Sequence, residues 1–350
     1  MPLEIDIEKR FPDFTLAVHL SCENEVVGLL GASGCGKSLT LKCIAGIETP
    51  DRGRIAINGQ TVFDSERGIN IPVQSRRVGY LFQNYALFPT MTVWNNIASV
   101  IKRPKSERGE IVDEIIKTFQ LEGVKDLYPR QISGGQQQRA ALARILVSQP
   151  QVLLLDEPLS ALDTHLRWKV EQEIMQVLEN FQGPTIFVSH DRGEAYRISD
   201  KIAVMADGAI VSTGAKEDVF SSPKTLAAAL ITGCKNFSKA EKSGEFRVRA
   251  TDWGVELCTQ RAVPDGVKYV AVRARHFAFA DRPDGENVFQ CFVHRIIEDP
   301  FERIVEFSFG AGAEQSARLQ FIVAKENSGE HEKGNCAVLV PADRIMLLEE

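Results

Sequence analysis

Gly31-Ala32-Ser33-Gly34-Cys35-Gly36-Lys37-Ser38 sets the reading of this chain. The run fits the spacing G-x4-G-K-[ST]. It follows an apolar strand pattern over residues 26–30 and opens a helical pattern over residues 39–45. The motif requires that strand–loop–helix context, in which glycines let successive backbone N–H groups converge on phosphate oxygens at the positive end of a helix. The backbone through Gly31, Ala32, Ser33, Gly34, Cys35, Gly36 and Leu39 is the candidate cradle. Lys37 is placed to reach the β- and γ-phosphates, and Ser38 is a candidate Mg²⁺ ligand.

A second apolar run, residues 152–155, ends in Asp156-Glu157. A buried parallel strand delivers such carboxylates to the edge where ligands bind in open α/β folds. Asp156 suits Mg²⁺, and Glu157 suits a general base that polarises water. His190 follows another buried run, residues 185–189, and reads either as structural or as a group near the γ-phosphate. Gln83 ends the run 78–82 and is a candidate for Mg²⁺ or water through its amide.

Strand-like and helical runs alternate up to about residue 235, which predicts a mainly parallel sheet with helices on both faces. Helical spacing appears over residues 110–119, 137–147 and 167–178, and Asn58-Gly59 closes a strand in a turn. Beyond that point the chain is rich in short alternating runs, among them 246–249, 269–273, 288–294, 304–309, 319–323 and 336–340. Turn clusters separate them, the pattern of an all-β barrel or sandwich. The expected division is therefore 1–235 and 236–350, with the boundary within residues 232–244.

The 350 residues are 44% apolar and 25% charged, an ordinary globular composition with room for two cores. A net charge of -6 gives no basic excess for non-specific nucleic-acid binding. No apolar run approaches the roughly 20 residues of a membrane-spanning helix. Residues 1–10 alternate as a strand rather than as a signal peptide. The seven cysteines form no C-x-x-C pair, so reduced thiols are expected.

Ile132-Ser133-Gly134-Gly135-Gln136-Gln137-Gln138-Arg139 adds another N–H-rich helix start. In order, Lys37, Gln83, this run, Asp156-Glu157, Ser160-Ala161-Leu162-Asp163 and His190 resemble the nucleotide-binding domain of ABC transporters over roughly residues 1–235. Ile132 stands where leucine is usual. The resemblance implies an α/β ATPase domain with a mainly parallel sheet, a helical subdomain and an antiparallel β subdomain. It gives Glu157 as catalytic base and His190 as switch histidine. Ser133, Gly134, Gly135 and Gln136 cap ATP on an opposite subunit, and Asp163 couples the two sites. It further implies ATP and Mg²⁺ as cofactors, a homodimer, and separate membrane permeases docking near Phe88 and Trp94. An external solute-binding protein acts indirectly, and the place of work is the cytoplasmic face of the membrane. Phe11 is the candidate for stacking on adenine, with Phe14 next; either can equally be core.

The tail resembles the OB/TOBE-like regulatory domains of import ATPases. Residues 68–83 and 233–236 look like those of molybdate ATPases, with sulfate or thiosulfate next and ferric ion and sugars behind. Residues 283–287 match the molybdate-binding signature only in degenerate form. Arg273, Arg275, His276 and Arg295 are the basic groups available to an oxyanion there. A soluble ABC ATPase of translation or DNA repair usually has two cassettes or a long coiled coil, neither of which is present. A nucleotide kinase leaves Ser133 to Gln136 unexplained.

Overall fold

The computed structural model describes residues 2–160, 164–280, 285–310, 317–325 and 334–349. Contacts divide the chain into two units, Met1–Lys216 and Glu217–Glu350.

The first unit holds strands β1 (Leu3–Phe11), β2 (Phe14–Cys22), β3 (Val26–Gly31), β4 (Arg52–Ile57), β5 (Gln60–Asp64), β6 (Ile69–Asn70), β7 (Val78–Leu81), β8 (Val152–Asp156), β9 (Thr185–Val188), β10 (Lys201–Ala206) and β11 (Ala209–Ala215). Its helices are α1 (Lys37–Ala45), α2 (Val93–Ala98), α3 (Lys105–Thr118), α4 (Gly134–Val147), α5 (Thr164–Asn180) and α6 (Arg192–Ile198). The strands form one sheet in the order β6-β5-β4-β1-β2-β11-β10-β3-β9-β8-β7. The stretch β10-β3-β9-β8-β7 is parallel throughout. The wing β6-β5-β4-β1-β2 is antiparallel and continues the same sheet.

The apolar run at 152–155 follows from burial on both faces. Val152 and Leu154 enter one core with Leu29, Ile44 and Val188. Leu153 and Leu155 enter the other, with Leu142, Ile174 and Phe187. Alternation along β8 thus joins two cores through one strand.

Helix α1 is fixed at its far end by a buried cation. Arg76 is 2% exposed and donates to the carbonyls of Cys43 (3.0 Å), Ile44 (2.9 Å) and Ile71 (2.8 Å). Positive charge at a helix C-terminus offsets the orphan carbonyls and the dipole.

The second unit contains most of α7 (Lys216–Ser221), then α8 (Leu226–Ile231), and strands β12 (Asn236–Gly244), β13 (Arg247–Ala250), β14 (Val255–Cys258), β15 (Tyr269–Val272), β16 (Ala278–Phe279), β17 (Val288–Glu298), β18 (Glu302–Phe309), β19 (Leu319–Ala324), β20 (Gly334–Leu339) and β21 (Met346–Leu348). Two five-stranded antiparallel sheets, β14-β13-β12-β15-β21 and β16-β20-β17-β18-β19, share one core around Val248, Leu257, Phe307 and Phe321. Ala229 and Cys234 pack on Ala271, Met346 and Leu348, which ties the segment carrying α8 to the β unit. Asn236 joins the two sheets: its amide donates to the carbonyls of Val272 (3.1 Å) and Gln320 (2.8 Å).

Candidate nucleotide site

The loop between β3 and α1 takes its shape from two glycines with positive φ, Gly34 at 83° and Gly36 at 108°. No side chain caps α1 at Gly36, so the N–H groups of its first turn remain available to an external acceptor. Lys37 is 6% exposed, and its ammonium turns back onto the carbonyls of Gly31 (2.8 Å) and Ala32 (2.9 Å). That arrangement holds a cation at the mouth of the loop.

The parallel strands place the remaining groups at the same sheet edge. Asp156 pairs in register with Val188, and Leu29 with Val188 on the other side. The C-terminal ends of β3, β8 and β9 therefore meet. Ser38 Oγ donates to Asp156 Oδ1 at 2.8 Å. His190 Nδ1 lies 3.2 Å from Glu157 Oε2. Glu157 has a φ of 45°, a left-handed conformation held by its N–H donating to the Val188 carbonyl at 3.1 Å. Gln83 Nε2 donates to Ser160 Oγ (3.1 Å), which donates to the Glu157 carbonyl (2.9 Å).

A cavity of about 480 Å³ opens over the loop, with Ser33, Gly34, Gly36, Lys37 and Ser38 on its floor. Glu157, Leu39 and Lys42 line it further, together with both Phe11 and Phe14. Phe11 is 41% exposed, whereas Phe14 packs partly into the core. The Lys9 ammonium sits 5.4 Å from the Phe11 ring centroid.

Ser133, Gly134, Gly135 and Gln136 are not among the residues lining that cavity. They start α4, where Ser133 and Gln136 form a reciprocal capping box: Ser133 Oγ accepts from the Gln136 N–H (3.3 Å), and Gln136 Oε1 accepts from the Ser133 N–H (2.9 Å). Asp163 lies outside the described residues.

Three contributors were not evident from the sequence. Tyr80 donates its hydroxyl to Asp156 Oδ2 at 2.8 Å. Lys42 lines the cavity from the second turn of α1. Asn96, fully buried, binds the Phe88 N–H through Oδ1 (2.8 Å) and the carbonyls of Phe88, Met91 and Thr92 through Nδ2 (3.0–3.1 Å). Phe88 itself is 47% exposed with the Arg144 guanidinium over its ring, whereas Trp94 is half-buried and donates to Asp113.

Two of the basic groups of the tail are engaged within the second unit. Arg273 donates to the Thr232 carbonyl and hydroxyl and to the Phe220 carbonyl. Arg275 pairs with Glu302. Asn287 is a clip, exchanging hydrogen bonds with the backbone of Cys258 at 2.7 Å each; Pro283 and Asp284 lie outside the described residues.

Among the described residues no cluster of three or more His, Cys, Asp or Glu side chains can hold a metal ion. Ser38 and Asp156 together offer hard oxygen donors of the kind that Mg²⁺ takes alongside phosphate oxygens. The donor set therefore fits Mg²⁺ carried with a nucleotide. Also among the described residues, no helix is long and apolar enough to cross a membrane.

A phosphate cradle, a Ser–Asp pair and a Glu–His pair at one parallel-sheet edge define a nucleotide hydrolase of the phosphate-loop class. Comparison with known proteins narrows the class. The family model described as "ABC transporter" matches residues 17–160. The trehalose/maltose import ATP-binding protein MalK of Thermococcus litoralis is 37% identical over 87% of each chain. The sulfate/thiosulfate import ATP-binding protein CysA of Synechocystis is 41% identical over 62% of this chain and 61% of that one. The molybdenum import ATP-binding protein ModC of Paramagnetospirillum magneticum is 34% identical over 80% of this chain and 79% of its own. Relatives named for ferric-ion and spermidine/putrescine import match at similar identity. The solved ATP-binding cassette MJ0796, a dimer bound to ADP and Pi, superimposes with a TM-score of 0.52 at 27% identity, covering 62% of this chain and 99% of its own. The chain belongs to the ABC transporter family, as an ATP-hydrolysing subunit of the import type.

Proposed function

We propose that this chain powers the import of an oxyanion, molybdate, by closing as a homodimer on two ATP molecules and reopening after hydrolysis. The convergence of Lys37, Ser38, Asp156, Glu157 and His190 on one sheet edge carries the ATPase part of this reading. Lys37 and the loop N–H groups bind the β- and γ-phosphates. Ser38 and Asp156 would hold Mg²⁺, which would supply neutralisation of the phosphate charge. Glu157 takes the proton of the attacking water, and His190 orients that carboxylate. Phe11, exposed at the rim, stacks on adenine. Gln83 connects the site, through Ser160, to the loop bearing Phe88, where a membrane permease docks.

Two copies are needed because Ser133, Gly134, Gly135 and Gln136 stand apart from the cavity of their own chain. From a second copy they cap the γ-phosphate with the N–H groups of a helix start, and Asp163 couples the two sites. Attachment to permeases places the chain at the cytoplasmic face of the membrane.

The likeness of residues 68–83 and 233–236 to molybdate ATPases supports the solute. Sulfate or thiosulfate is the second reading, favoured by the higher identity of that relative. Uptake of radiolabelled oxyanions by cells lacking the chain separates the two. Loss of molybdate uptake with normal sulfate uptake is expected. Loss of sulfate uptake alone overturns the molybdate reading and leaves the ATPase intact.

A further inference from the structure

We propose that Tyr80 is a positioning residue for Asp156, its hydroxyl holding one carboxylate oxygen so that the other stays turned toward Ser38 and the divalent cation. The inference rests on the nucleotide-site reading above.

Strands β7 and β8 are parallel neighbours, with Tyr80 opposite Leu154. Asp156 lies two residues beyond Leu154, on the same face of the sheet. Tyr80 reaches forward along that face, and its hydroxyl donates to Oδ2 at 2.8 Å, while Ser38 Oγ donates to Oδ1 at 2.8 Å. Each oxygen of a carboxylate that is only 7% exposed therefore has its own hydroxyl partner.

The tyrosine ring is itself held in place. It packs partly into the core that contains Leu154, and the Phe82 ring stacks on it with centroids 4.2 Å apart. Ser38 belongs to the nucleotide loop and must also serve the cation. Tyr80 is not among the residues lining the cavity, and among the described residues its hydroxyl donates to Asp156. Outer partners that orient a metal-binding carboxylate typically matter about 10–100-fold in metal affinity.

The test measures Mn²⁺ binding to the full chain with a non-hydrolysable ATP analogue, by electron paramagnetic resonance, beside nucleotide affinity in EDTA. Tyr80→Phe keeps the ring and its stacking and removes only the hydroxyl. Mn²⁺ affinity about tenfold weaker, with nucleotide affinity in EDTA unchanged, is the expected result. Tyr80→Met, which also lacks the hydroxyl, should shift Mn²⁺ affinity in the same direction and serves if Tyr80→Phe folds poorly. Wild-type Mn²⁺ affinity in a folded variant overturns the proposal. So does an equal loss of nucleotide affinity in EDTA, which marks a packing role. A wild-type chain that holds no nucleotide in either arm overturns the nucleotide reading, and this inference with it.

Discussion

His190 Nδ1 and Glu157 Oε2 meet at 3.2 Å, brought together from just beyond the ends of β9 and β8. The contact depends on backbone more than on side chains. Glu157 sits at φ 45°, and its N–H donates to the carbonyl of Val188, the last residue of β9. Beyond His190, Asp191 caps α6 by accepting from the N–H groups of Gly193 (2.7 Å) and Glu194 (3.0 Å). The imidazole thereby meets a carboxylate that lines the cavity.

Gly36→Ala should both destabilise the first unit and abolish nucleotide binding. Its φ is 108°, and a Cβ there meets Leu16 Cδ1 at 2.7 Å and Met205 Cε at 2.9 Å. Left-handed strain at a non-glycine residue costs about 1–3 kcal/mol. Thermal melting and binding of a fluorescent ATP analogue read the two effects separately.

Asn96→Ala should loosen the segment from Phe88 to Thr92 without touching the phosphate loop. Five hydrogen bonds of a buried amide disappear, four of them to the segment from Phe88 to Thr92 and one from Arg144, a loss of about 2–3 kcal/mol. The isolated chain should keep its ATPase activity, while stimulation by permeases should fall. Assay of both activities in detergent and in reconstituted vesicles checks this.

Much of this site was legible because its parts are adjacent in sequence. Lys37 and Ser38 share one motif, and Asp156 and Glu157 end one apolar strand. The motif context required β3 and α1, and the structure has them. The sheet order was not legible. β3 lies between β9 and β10, pairings between distant segments that no local pattern encodes. Nor does periodicity show that the antiparallel wing continues the parallel sheet. Tyr80 escaped notice because its partner is 76 residues away, and a tyrosine in an apolar run reads as core. The basic residues of the tail read from sequence first as a solvated face and second as anion ligands, and Arg273 donates to Thr232 and Phe220.

The second unit should lose stability in mild acid through His276. Burial first, then the Arg344 and Arg273 charges, hold its pKa below the ordinary 6.5, against an opposing pull from Asp343. The folded chain prefers the neutral ring, whereas the unfolded chain protonates near 6.5. Stability is therefore full above that pH and is lost as pH falls through the lower folded value. His276→Gln should flatten the pH dependence of the melting temperature. An unchanged slope assigns the acid sensitivity to other groups.

The proposed role of Glu157 as the base of an ATPase is read by phosphate release from Mg-ATP by wild type and Glu157→Gln, with ATP binding measured alongside. Near wild-type ATP affinity, with phosphate release reduced by about 10²-fold or more, is the predicted result. A Glu157→Gln chain that hydrolyses ATP at the wild-type rate rules Glu157 out as that base.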